Sequence, residues 1–200
     1  AEYIIKKLSA FILIYVFSAV LGEGIIIGIL YGMGYDPLHG IMPDGQISEL
    51  LLYYGFLIFS LATLLYCRFI EKKNMKLIGF AGNPTEYLAG TLIAAILLFI
   101  IIGIGCISGS IEFGGFNTNV NIKSLLLWVL AFGIQGAAEE IMCRGFLLHS
   151  LKNRISVPLA ILISSTAFVF PHLSSLLEAE LVYAMVGIIN LYLISIVFSI

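Results

Sequence analysis

Ala137-Ala138-Glu139-Glu140-Ile141-Met142-Cys143-Arg144-Gly145 sets two acids and a base inside a chain otherwise apolar enough to dissolve in lipid. A charged side chain at the centre of a bilayer costs about 3 kcal/mol or more, so acids kept at that depth face a bundle interior and take part in function. Around this stretch the chain is 60% hydrophobic and 11% charged, with a mean hydropathy of +1.09. A soluble domain is about half apolar and a quarter charged, so the composition is that of an integral membrane protein.

The formal net charge is -2 and the basic residues are dispersed, which argues against nucleic acid or another polyanion as partner. Cys67, Cys106 and Cys143 form no CxxC pair and no Cys/His ladder. A disulfide framework or a structural zinc site is therefore not expected. The stretch from Ala1 to Leu30 opens with Lys6-Lys7 and runs apolar for longer than the roughly 7–15 residues of a signal-peptide core, which reads as a retained membrane helix.

A spanning helix needs about 20 mainly apolar residues. That template gives spans near 8–33, 50–70, 87–107, 123–143, 156–172 and 182–200. The expected fold is an all-α, polytopic transmembrane helical bundle of about six spans. We expect one integral membrane domain over 1–200, with peripheral spans in 8–107 and a motif-bearing core in 123–200. Asp36-Pro37, Pro43-Asp44-Gly45, Gly82-Asn83-Pro84 and the stretch from Ser108 to Asn121 carry the turn chemistry of connectors.

If the spans alternate, Lys6, Lys7, Arg68, Lys72, Lys73, Lys76, Lys152 and Arg154 share one side. Asp36, Asp44, Glu49, Glu112, Glu178 and Glu180 share the other, with Lys123 as its one base. Lysine and arginine mark the cytoplasmic side, so the N-terminus is expected there. On this template Ile141 to Leu151 reads as an amphipathic interfacial continuation, with Phe146, Leu147 and Leu148 in lipid and His149 and Lys152 near water.

Glu140 and Arg144 are four apart and share a helix face, whereas Glu139 is rotated by about 100° and is free to face a cavity. Two acids this close resist ionising together, and Arg144 relieves one of them, leaving one acid structural and one for proton work. The candidate helper is His172, in Phe168-Val169-Phe170-Pro171-His172 at the end of the next span. Counted from the linker at 153–158, His172 is about 14 residues after it and Glu139 about 15 before it, which puts both at one depth. That count requires residues 140–152 to belong to the helix body. A glutamate and a histidine sharing one water make a general base for hydrolysis.

Glu-Glu-x-x-x-Arg at 139–144, the glycine at 145 with its apolar run, and Phe-x-x-x-His at 168–172 resemble the first two motifs of the CAAX protease and bacteriocin-processing (Abi) family, which includes the type II CAAX prenyl endopeptidases. The resemblance implies a polytopic intramembrane endopeptidase of a bacterial or archaeal cell membrane, and the topology above puts its site toward the cytoplasmic side. Glu139 and His172 would activate the attacking water, and Glu140 and Arg144 would orient and balance that centre. The substrate would be a membrane-held peptide or lipidated protein, including a prenylated CAAX-type one. No HExxH motif is present, and no metal or other cofactor is assigned.

The family's later His-x-x-x-Asn motif is not found up to Ile200, so the chain is expected to be truncated in mid-bundle. Phe168 is a candidate for substrate contact, and so is Asn190, which would otherwise hydrogen-bond a neighbouring helix. The plainer account of Glu139, Glu140 and Arg144 is an ion cluster that holds helix register. Glu23, between Gly22 and Gly24, is another acid within a span, His39 reads as solvated, and Tyr53-Tyr54 fits an interfacial belt. Two other functions compete with proteolysis: a non-catalytic bacteriocin immunity or membrane interaction protein on the same scaffold, and a proton-coupled transporter.

Overall fold

The computed structural model describes residues 2–43, 45–73, 78, 83–115 and 119–199. Ala1, Asp44, Lys76, Gly82 and Ile200, named above, lie outside the described residues. The architecture is an all-α bundle. Among the described residues, five helices are long and apolar enough to cross a membrane: α1 Glu2–Gly32, α2 Gly45–Ile70, α3 Pro84–Ile107, α4 Ile122–Leu151 and α5 Val157–Leu176. A shorter apolar helix, α6, covers Leu181–Val197. Its 17 residues sit at the lower limit for a span, about 17–25.

Local chemistry sets the helix starts. Asn83 accepts from Thr85 N and, with Glu86, forms a capping box ahead of Pro84, while Asn121 accepts from Ser124 N at 3.2 Å to open α4. α1 packs on α2, α2 on α4, and α5 on both α4 and α6. Small residues permit the first contact: a Cβ on Gly55 would lie 3.0 Å from Ile26 Cδ1, and Gly22 approaches the Gly55 carbonyl. Tyr53 packs edge-on to Trp128 and Phe132, joining α2 to α4. α3 has no buried residue.

The fourth span runs to Leu151, well past the end at 143 that hydropathy alone gives. Within it, Ile141–Leu148 adopts wide, π-type turns, a geometry found frequently at functional sites. The interfacial reading of this segment is overturned. Phe146 and Leu147 are 0% exposed and Leu148 is 9% exposed, because the widened turns are enclosed by α1, α2, α5 and Ile78. Gly145 is what lets Ile78 cross there: a Cβ would meet the Ile78 carbonyl oxygen at 2.6 Å. Ser164 of α5 donates to the Cys143 carbonyl at 2.8 Å, pinning the two helices at the same level.

Basic residues placed on one side by the sequence do gather at one end of the bundle. Lys7 is 5% exposed and pairs with Glu71, which also takes Lys73 at 3.4 Å and the Tyr66 hydroxyl at 3.0 Å. Lys73 donates on to Ser150 Oγ at 2.6 Å, and Arg154 stacks over the Tyr3 ring at 5.1 Å. This network clamps α1, the end of α2 and the end of α4 together.

Candidate active site

Glu139 is held by α4 just before the turns widen, and His172 by the region where α5 tightens. Pro171 has no N–H to continue an α-helix, and Phe170–His172 narrows to a 3-10 turn. His172 Nδ1 lies 2.9 Å from the Phe168 carbonyl. A carbonyl only accepts, so Nδ1 carries the proton, and in the neutral ring Nε2 is left with its lone pair. That nitrogen faces Glu139 Oε1 at 3.9 Å. The gap is too long for a direct hydrogen bond and suits a shared water.

The equal depth obtained by counting from the linker is thus the depth the structure gives. Gln135, one turn earlier on α4, donates from Nε2 to Glu139 Oε1 at 3.1 Å and orients the carboxylate. The side chains of Glu139 and His172 remain 23% and 30% exposed, because both open into a cavity of about 230 Å³.

Glu140 is turned away from that cavity. Its Oε1 sits 3.0 Å from Arg144 Nη1, an ion pair outside hydrogen-bond angles. Arg144 Nη2 donates to Ser195 Oγ at 2.9 Å and to the Ser195 carbonyl at 3.2 Å, and the guanidinium lies 4.6 Å from the Phe168 ring centre. One buried arginine therefore joins α4, α5 and α6 around the water position. Phe168 is itself a cavity wall and lies beside the His172 ring.

Residues 121–200 match the family model of the Rce1-like type II CAAX prenyl endopeptidases. This segment is similar to that family. Glu139, Glu140, Arg144, Phe168 and His172 all fall inside it. No curated protein and no solved structure matches the chain.

The Rce1-like segment does not enclose the cavity alone. Phe11 and Tyr15 of α1 and Phe56 and Phe59 of α2 form the facing wall. None of the four carried a signal in sequence, since an aromatic in an apolar helix looks the same whether it meets lipid or a pocket. Ser195 was missed in the same way, while Gln135 was readable as the i−4 neighbour of Glu139. Asn190 is exposed on α6 and is not among the cavity-lining residues. Glu23 is exposed on α1, with no ion pair among the described residues, and His39 is exposed beside Asp36. Among the described residues, no three His, Cys, Asp or Glu side chains cluster as a metal site would need.

Proposed function

We propose that this chain is a membrane-embedded endopeptidase that cleaves a peptide bond of a membrane-held substrate, including prenylated CAAX-type sequences. The attacking water is activated between Glu139 and His172. The observation that carries this reading is the pairing of Glu139 Oε1 with the lone-pair nitrogen of His172 at 3.9 Å, in the lining of a cavity.

A water between the two donates one hydrogen to each, which directs its oxygen lone pairs toward the substrate carbonyl. Glu139 takes a proton as the water attacks and returns it to the leaving nitrogen, a role worth about 100–10,000-fold in rate. His172 orients the water. Glu140 and Arg144 hold the frame, with the arginine's charge balanced and its ring contact on Phe168 keeping the His172 turn in place. We place the end of the bundle that carries Lys7, Lys73 and Arg154 toward the cytoplasm, following the lysine and arginine bias.

The test is cleavage of a fluorogenic, prenylated CAAX-type peptide by the protein in liposomes. Glu139→Gln and His172→Ala are each expected to lower the rate by about 1,000-fold. Undiminished cleavage by either variant would sink the assignment.

A further inference from the structure

Lys6 and Lys7 are neighbours on α1 with opposite surroundings. Lys7 is 5% exposed and pairs with Glu71, whose two oxygens are filled by Lys7, Tyr66 and Lys73. Lys6 is exposed and has no acceptor among the described residues, not even Glu2 one turn earlier. Ser9, three residues on and on the same face, has no hydrogen-bond partner among them either. Both side chains line a groove of about 680 Å³ between α1 and α2. Beyond them the groove is apolar. The buried Ala10 and Ile14 and the half-buried Ala62 form its floor, and the exposed Leu13, Phe17 and Leu65 its rims. From Ser9 to Phe17 it follows α1 for about 12 Å. It shares no residue with the Glu139–His172 cavity, which Phe11 and Tyr15 line from an adjoining face of α1.

We propose that this groove binds an anionic phospholipid, with an acyl chain lying in the trough and the phosphate held by Lys6 Nζ and Ser9 Oγ. Charge complementarity decides the occupant. Within a bilayer a trough gains little from apolar contact alone, because one acyl chain only replaces another. Preference has to come from the polar end. There the groove offers an ammonium and a hydroxyl, both able to donate to phosphate oxygens, and no carboxylate is among the residues that line it. A zwitterionic lipid brings a cation of its own toward Lys6, and a prenyl chain has no charge to offer it. The end of the bundle concerned is the one that the lysine and arginine bias places toward the cytoplasm, the leaflet whose surface is negative. The site does not depend on the proteolytic reading.

In the test, the protein in a neutral detergent is titrated with phosphatidylglycerol or phosphatidylcholine, and the lipids bound per chain are counted by native mass spectrometry. The wild type is expected to retain one phosphatidylglycerol about tenfold more tightly than phosphatidylcholine. Lys6→Gln should erase that preference, and Ser9→Ala should weaken phosphatidylglycerol a few-fold. Ala62→Leu, which fills the trough, should release both lipids. Lys152→Gln is the control: it removes an exposed lysine from the same end of the bundle but outside the groove, and should leave the preference intact. Lys6 and Ser9 are exposed, so their variants are expected to melt like the wild type in lipid-free detergent. An equal loss in Lys6→Gln and Lys152→Gln overturns the site, since that is general surface attraction. Equal affinity for the two lipids in the wild type, or full retention by Ala62→Leu, also overturns it. Displacement of the lipid by glycerol phosphate alone shows a phosphate site without a trough, and displacement by one equivalent of an uncleaved prenylated peptide gives the trough to a substrate chain. Either result overturns the proposal and leaves the Glu139–His172 site untouched.

Discussion

Glu71 and Glu139 are both acids drawn into the protein beside nitrogen partners, yet they are finished differently. Glu71 is closed: its side chain is 8% exposed, and both oxygens are taken, one by Lys7 and Tyr66 and the other by Lys73. Glu139 is left open: its side chain is 23% exposed, Gln135 holds one oxygen, and the nearest base stands off at 3.9 Å. A saturated carboxylate can only hold things together. One with spare acceptor sites, facing a cavity and a second acceptor, is equipped to hold and deprotonate water. On the proposed reading, the difference separates a clamp from a reaction centre more sharply than burial or charge does.

The contrast breaks first at Glu139. Glu139→Gln keeps the shape and the Gln135 contact, so the rate is expected to fall about 1,000-fold while the melting temperature in detergent stays put. Loss of folding in that variant would mean that Glu139 is a clamp as well. Glu71→Ala should do the reverse. It leaves Lys7 buried without its partner, which costs about 3–5 kcal/mol, read as a lowered melting temperature, with activity per folded molecule retained.

The same pair carries a pH signature. Burial pushes the Glu71 carboxyl up, but the hydrogen bond from Lys7 and the charges of Lys73 and Lys7 outweigh it, so it sits below the usual carboxylate value. A depressed carboxyl adds stability above its unfolded value, about 4.3, and loses it as pH falls through the folded value. Wild-type melting should therefore drop over that acid window. In Glu71→Gln, already less stable, this component should be missing; an equal drop in both proteins would show that other acids dominate. The smallest expected effect belongs to Ser195→Ala. It removes one of the two Arg144 contacts on α6 and should cost about 1 kcal/mol, with a few-fold loss of rate measured in the same liposomes.

Much of this was legible in the chain because lipid makes polarity conspicuous. Glu139, Glu140 and Arg144 stand out against their neighbours, and counting from one linker as if both helices shared one rise per residue was enough to bring His172 to their level. What failed depended on geometry that counting assumes away. Phe146 and Leu147 looked lipid-facing because a regular helical wheel was applied to Ile141–Leu148, where the turns widen and the register shifts. Glu71 was passed over among Arg68, Lys72 and Lys73 because that connector was read for its positive charge alone. The aromatic wall was invisible for a different reason: hydropathy records what a side chain avoids, and lipid and a dry pocket are avoided equally little.

The split origin of the cavity has a consequence for how such a protein can change. Glu139 and His172 sit on α4 and α5, whereas Phe11, Phe56 and Phe59 come from helices that contribute nothing to the Glu140–Arg144–Ser195 frame. Exchanging one aromatic for another there reshapes the pocket without disturbing a single charge. On the proposed proteolytic reading, selection for a new cleavage sequence can thus act on α1 and α2 while the chemistry is inherited intact, and chains of this kind are free to diverge fastest where a family signature looks for nothing.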